Sequence, residues 1–178
     1  MINLFDYVYI ENLFSPQFCS DAIKKIDNST FSPHTWYDVE SGYVDTKDFM
    51  VTYCPELQKS MRENIFKFLL NYINVTKTSF ALHESTEIRF NVYDSGCEMA
   101  THIDHIHSIF DGTKKGIPIL SMVGLLNDDY DGGEFILCDK KIDLKCGDVI
   151  AFPSIFLYPH SVTKVNRGKR YSWVLWSF

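Results

Sequence analysis

From about residue 80 to its end the chain is a series of short apolar segments, each closed by a turn signal. The segments are Thr86–Tyr93, Ala100–Asp104, Ile117–Asn127, Glu134–Leu137, Val149–Phe152, His160–Val165 and Tyr171–Phe178. Between them stand Asp94-Ser95-Gly96, Asp111-Gly112, Asp131-Gly132-Gly133, Cys146-Gly147-Asp148 and Arg167-Gly168, residue types that tolerate the left-handed backbone of tight turns. Many short strands with evenly placed turns predict a sandwich or a barrel. Gly112–Gly116, with Ser108–Phe110 before it, reads as an insertion between two of these strands.

The first 80 residues are of mixed type. Phe5–Ile10 reads as a strand. Ser15 offers an N-cap oxygen and Pro16 stands at the first helical position, where its missing N–H is no loss; the helix should run to about Asp27. A second helix begins near Pro55, where Leu57, Met61, Ile65, Phe68, Leu69, Tyr72 and Ile73 recur at spacings of three and four and make one apolar stripe to cover a sheet. The segment Phe31–Tyr53, with Trp36, Tyr37, Tyr43 and Phe49 among acids, and the Ser108–Pro118 loop are expected as substrate lids. A chain of 178 residues suffices for one domain with a good core. We expect a support half over 1–80 and a catalytic half over 81–178, in a mainly β fold with flanking helices.

The apolar share of 46% and charged share of 22% are ordinary for a soluble protein. A formal charge of -6 argues against a surface built to grip nucleic-acid backbones. Lys164, Arg167, Lys169 and Arg170 form one basic turn, read first as a solvated hairpin tip. Cys19, Cys54, Cys97, Cys138 and Cys146 are odd in number and form no Cys-x-x-Cys pair, which suggests neither a disulfide framework nor a zinc site. The start, MINLFDYVYI, lacks the pattern of a signal peptide, and no apolar run approaches the roughly 20 residues that cross a bilayer. A cytoplasmic setting without membrane or nucleic-acid partners is the expectation; oligomeric state is left open.

The chemistry concentrates in Thr101-His102-Ile103-Asp104. Alternate strand residues share a face, so His102 and Asp104 should point together, with Ile103 away. An imidazole and a carboxylate are two thirds of the 2-His-1-carboxylate triad that suits non-haem iron(II). By itself His-x-Asp is a common chance pattern. His160, at the start of a later strand, can supply the third ligand, and Arg170 follows ten residues on. As the partner strand of a hairpin, Arg170 is expected beside His160, with a planar fork suited to a carboxylate. The bland alternative is a core histidine and a surface arginine. His105 and His107 extend the tract but face away from Asp104 and read as loop-entry residues. Gly132-Gly133 is followed by no Lys-Ser/Thr and reads as a tight turn, not a phosphate loop.

With these residues in hand, Glu87–Phe178 resembles the prolyl-4-hydroxylase-like branch of the iron(II)/2-oxoglutarate oxygenases. The likeness rests on Tyr93-x-x-Gly96 nine residues before His102, Leu126-Asn127-Asp128-Asp129, Gly132-Gly133-Glu134-Phe135, Lys145-x-Gly147-Asp148, Phe152-Pro153, and His160 with Arg170. It implies a double-stranded β-helix, or jelly roll. It implies iron(II) on His102, Asp104 and His160, and 2-oxoglutarate paired with Arg170. Tyr93 then lines the co-substrate pocket and Trp176, six residues after Arg170, walls it. Dioxygen is the second co-substrate and ascorbate an auxiliary one. Where related enzymes place a Tyr before a Leu-Asn step, this chain has Leu125; Ser121 or Thr163 is expected to supply the hydroxyl instead.

The implied activity is oxidative decarboxylation of 2-oxoglutarate coupled to hydroxylation of an unactivated C–H bond, with a prolyl residue of a protein or peptide as leading substrate. Alternatives are hydroxylation of a free amino acid or small metabolite, and nucleic-acid demethylation, which the acidic balance disfavours. A non-catalytic jelly-roll binding module is the reading from another class, and it has no use for all of His102, Asp104, His160 and Arg170.

Overall fold

In a computed structural model of the protein, two helices cover one face of a seven-stranded sheet and a smaller sheet closes over the other face. The structure describes residues 3–38, 42–79, 84–104 and 117–178, with the side chains of 36–38 and 42–48 left aside. In chain order the elements are β1 (Tyr9–Asn12), α1 (Pro16–Asp27), β2 (Ser32–Asp38), β3 (Gly42–Thr52), α2 (Pro55–Thr76), β4 (Arg89–Tyr93), β5 (Met99–His102) and β6 (Leu120–Leu125). There follow β7 (Asp131–Gly132), β8 (Phe135–Leu137), β9 (Lys140–Ile142), β10 (Asp148–Pro153), β11 (His160–Val162), β12 (Val165–Arg167) and β13 (Arg170–Ser177). The large sheet runs β1-β10-β6-β13-β4-β3-β2, the four-stranded sheet β5-β11-β8-β9, and β12 pairs with β7. All pairings are antiparallel, and the architecture is the expected jelly roll with flanking helices.

The helices form where capping and periodicity place them. The Ser15 hydroxyl accepts from the Phe18 N–H at 3.2 Å, and Pro16 opens α1. Along α2 the residues Leu57, Met61, Ile65, Phe68, Leu69 and Tyr72 are buried, and Ile73 packs at their margin. Each large side chain so buried stabilises the fold by about 1.5–3 kcal/mol relative to exposure. They pack with Cys19, Ala22 and Ile26 of α1 onto Phe90, Val92, Met122, Trp173 and Leu175, the outward residues of β4, β6 and β13. Lys77, in the left-handed conformation at φ 56°, ends α2.

Three expectations change. Phe5–Ile10 is not one strand: Leu4–Tyr7 is a 3-10 turn, capped where the Asn3 side chain accepts from the Phe5 N–H, and pairing starts only at Tyr9 opposite Ala151. His160–Val165 divides into β11 and β12, because Val165 leaves the small sheet to pair with Gly132. The Phe31–Tyr53 segment, read as a lid, supplies β2 and β3, the outer strands of the large sheet. Its Phe49 and Val51 are buried inside the barrel, so this stretch is wall at least there. The Trp36, Tyr37 and Tyr43 side chains, His105, His107, the 112–116 insertion and most of the Ser108–Pro118 loop lie outside the described residues.

All five cysteines are free thiols. Burial pushes the Cys19 thiol up to about 12, as for an inert core residue. No helix among the described residues is long and apolar enough to cross a membrane.

Candidate active site

Antiparallel pairing puts His160 of β11 directly opposite His102 of β5. Their rings lie 4.2 Å apart between centroids. Each Nδ1 meets a backbone carbonyl two residues upstream, Ala100 for His102 at 2.9 Å and Tyr158 for His160 at 3.1 Å. Those contacts fix both rings so that the Nε2 atoms face one carboxylate. His102 Nε2 lies 3.9 Å from Asp104 Oδ1 and His160 Nε2 3.8 Å from Asp104 Oδ2. The ligand atoms of the three residues all fall within 4.8 Å of one another. Asp104 lies two residues past the last hydrogen-bonded position of β5, yet its carboxylate turns to the side that strand alternation predicts.

The surroundings suit a metal. Burial, then the neighbouring His160, hold His102 down to about 4, so its imidazole is neutral and its Nε2 lone pair available near neutral pH. The Ser121 hydroxyl donates to Asp104 Oδ2 and lies 2.7 Å from the Ser154 hydroxyl. Two imidazoles oriented by backbone carbonyls and a carboxylate held by a hydroxyl make the donor set that non-haem iron(II) takes, with one side left for further ligands.

Arg170 is 1% exposed, so the hairpin-tip reading fails for it. It does not neighbour His160 either: β11 belongs to the small sheet and β13 to the large one, so the guanidinium faces the histidine across the barrel. Its Nε donates to the Gly133 carbonyl at 3.0 Å and a terminal nitrogen to the Ser172 hydroxyl at 2.7 Å. Gly133 has φ 59°, and a Cβ there would sit 3.0 Å from Arg170 Cδ, so a glycine is needed for this approach. Tyr93, opposite Arg170 in the β4–β13 ladder, lies under the guanidinium, whose Cζ is 5.3 Å from its ring centroid, and stacks on Phe49 at 4.3 Å. Trp176 lines the same cleft further along β13.

Neither hydroxyl expected to stand in for the family tyrosine does so. Ser121 is engaged with Asp104, and the Thr163 hydroxyl accepts from the Glu134 N–H at 2.8 Å. Two hydroxyls bear on Arg170: that of Ser172, and that of Tyr130 beside Gly133, whose phenol is raised by burial against the charge and hydrogen-bonding pull of Arg170. Leu125 is buried among apolar neighbours. Sequence reasoning passed over Arg89, Asn91, Ser172 and Tyr130. For the first three a signal existed, since polar residues alternate with apolar ones in Arg89-Phe90-Asn91-Val92-Tyr93 and Arg170-Tyr171-Ser172-Trp173.

A jelly roll carrying a His-Asp-His cluster and a buried arginine at the cleft defines a mononuclear metal oxygenase scaffold. The sequence model of the 2OG-Fe(II) oxygenase superfamily matches residues 88–178, and the chain belongs to that family. The family uses iron(II), 2-oxoglutarate and dioxygen. A PKHD-type hydroxylase of Gluconobacter oxydans is 34% identical over 95 residues, covering 49% of this chain and 41% of that one. Prolyl 3-hydroxylase 2 of Mus musculus is 43% identical over 58 residues, covering 29% of this chain and 8% of that one. The chain thus matches well under half the length of these curated relatives. Among solved structures, a Trichoplax adhaerens prolyl hydroxylase in complex with a hypoxia inducible factor peptide superposes with TM-score 0.75 at 18% identity, over 97% of this chain and 84% of that one. A Pseudomonas putida prolyl-4-hydroxylase does so with TM-score 0.66 at 16% identity, over 96% and 91%. At such identities these two likenesses speak for the fold.

Proposed function

We propose that this chain is one catalytic domain, an iron(II)- and 2-oxoglutarate-dependent dioxygenase that hydroxylates an unactivated C–H bond of a prolyl residue in a protein or peptide. The observation that carries the reading is the convergence of His102, Asp104 and His160 in a cleft that also holds the buried Arg170. His102 Nε2, His160 Nε2 and an Asp104 oxygen hold the metal. Bound iron(II) supplies dioxygen activation coupled to conversion of 2-oxoglutarate to succinate and carbon dioxide. Arg170 takes the distal carboxylate of 2-oxoglutarate, its fork aimed by the Gly133 carbonyl and the Ser172 hydroxyl. Tyr93 and Phe49 wall that end of the cleft and keep water from the ion pair, which strengthens it. Ser121, itself hydrogen-bonded with Ser154, holds the Asp104 carboxylate toward the histidines. The prolyl preference draws on the relatives' names, and ascorbate enters as an auxiliary reductant.

Anaerobic titration with iron(II) and then 2-oxoglutarate tests the site through the visible metal-to-ligand charge-transfer band. The band should need both components and vanish in His160→Ala. Admission of oxygen with a proline-containing peptide should then release succinate and a hydroxylated product. A wild-type protein that binds no iron and shows no band would make the chain a jelly-roll binding module instead.

A further inference from the structure

A second guanidinium lies in the cleft. Arg89, four residues before Tyr93 on β4, points to the same side as Asn91 and Tyr93 and lines the cleft with His102 and Asp104. Its Nε donates to Asn91 Oδ1 at 3.1 Å, and its Cζ lies 5.1 Å from the ring centroid of Trp176. Among the described residues no carboxylate makes a salt bridge with it, and its terminal nitrogens make no hydrogen bond. Beside it the Trp176 Nε1 is fully buried and meets no acceptor among the described residues. Burial is the largest influence on Arg89 and lowers its pKa, against the weaker opposing pull of Tyr53, Tyr93 and the Asp104 carboxylate, which is turned to the histidines and forms no salt bridge with Arg89. The terminal nitrogens of Arg89 thus stand in a half-buried cleft without an acceptor among the described residues, an unfavourable arrangement until something anionic enters.

The co-substrate is not that anion. In the β4–β13 ladder Arg170 faces Tyr93 while Arg89 faces Val174, a separation of four residues along the strands. That is about 13 Å between backbones at the rise of a β-strand. The side chains also lean apart, Arg170 toward Gly133 and Arg89 toward Trp176. A five-carbon diacid anchored on Arg170 and reaching the His-Asp-His cluster ends short of Arg89. The metal cluster therefore has a cationic group on the side away from the co-substrate, where the molecule to be oxidised must lie.

We propose that Arg89, steadied by Asn91 and Trp176, binds a carboxylate of the primary substrate, so that the favoured substrate carries an anionic carboxylate close to the carbon that is hydroxylated. A single planar guanidinium suits a carboxylate better than a phosphate dianion, which takes more donors. The carboxylate is either the α-carboxylate of a free imino or amino acid, or an acidic side chain next to the target residue of a peptide. This inference rests on the oxygenase reading and sharpens its substrate class.

The test uses two probe pairs that differ only in charge, added anaerobically to the iron(II)–2-oxoglutarate complex: L-proline against L-prolinamide, and N-acetyl-Pro-Glu-amide against N-acetyl-Pro-Gln-amide. The readouts are the shift of the charge-transfer band on probe binding and, with oxygen, succinate release. The wild type should bind the carboxylate member of one pair about tenfold or more tightly than its amide, as expected for loss of a charge-assisted pair. Arg89→Met should erase that preference and leave the band with 2-oxoglutarate alone as in the wild type, and Arg89→Lys should restore part of it. Preference in the proline pair identifies a free acid as substrate, and preference in the dipeptide pair an acidic peptide. A band that forms normally but responds equally to both members, or to no probe, overturns the inference while the oxygenase reading stands. Arg89→Met weakening 2-oxoglutarate itself also overturns it, since Arg89 would then serve the co-substrate. Absence of the band in the wild type overturns the oxygenase reading first.

Discussion

The two faces of β4 and β13 carry opposite chemistry although both are built from alternate residues of the same two strands. Toward the helices these strands present Phe90, Val92, Tyr171, Trp173 and Leu175, all in the apolar cluster with α1 and α2. Toward the barrel interior they present Arg89, Asn91 and Tyr93, and Arg170, Ser172 and Trp176. Both faces are largely buried, yet one is filled mainly by packing side chains, with the Tyr171 hydroxyl donating to Asp27 at 2.8 Å, and the other mainly by polar and aromatic side chains that meet through hydrogen bonds and rings. The difference teaches where stability and chemistry reside. A buried polar group is unfavourable unless it is satisfied, so an alternating row of such groups marks a surface kept for a ligand.

That division can be broken most directly at the metal. Asp104→Ala should abolish iron(II) binding and turnover while the metal-free protein still melts cooperatively, checked by metal analysis beside a thermal scan; full activity in this variant would refute the ligand set. On the helix face the consequence should reverse. Phe68→Ala removes a fully buried side chain of α2 and should lower stability by about 3–5 kcal/mol in denaturant unfolding, with the charge-transfer band retained in the fraction that folds. A variant that lost the band at full stability would show that the faces are not independent.

Arg170→Ala comes next, and should weaken 2-oxoglutarate by about 1.5–3 kcal/mol while iron(II) still binds, read by titrating the band against co-substrate. Unchanged affinity would place the distal carboxylate elsewhere. The smallest effect concerns pH. The folded protein holds His102 near 4 against an ordinary 6.5, so between those values the unfolded chain binds the extra proton. The metal-free protein should therefore be most stable above about 6.5 and lose stability as pH falls toward about 4, a slope that His102→Gln should reduce in melts at a series of pH values.

Much of this organisation was legible in the chain. The N-cap at Ser15, the stripe along α2 and the turn-punctuated strands follow from local rules, and the structure returns α1 as Pro16–Asp27 and α2 from Pro55. His102 and Asp104 share a side as their alternate spacing requires. What local rules could not supply was which strand lies beside which. The ten-residue step from His160 to Arg170 suggests a hairpin, but β12 intervenes and pairs with β7, which leaves the two residues on different sheets. Strands β2 and β3, at one end of the large sheet, were hidden because their aromatic and acidic mixture has no clean alternation. Tyr130, in a turn, carried no periodic signal at all.

The sequence by itself thus determined the two helices, most strands of the second half and the candidates for the metal-binding and carboxylate-binding groups, because capping, periodicity and donor chemistry act over a few neighbouring residues. Only the tertiary structure decided that His160 stands opposite His102, that Arg170 is buried across the barrel and held by Gly133 and Ser172, and that Arg89 shares the cleft with them. Those facts depend on antiparallel register between strands far apart in the chain, and register is set by the burial of whole faces together, not by any local run of residues.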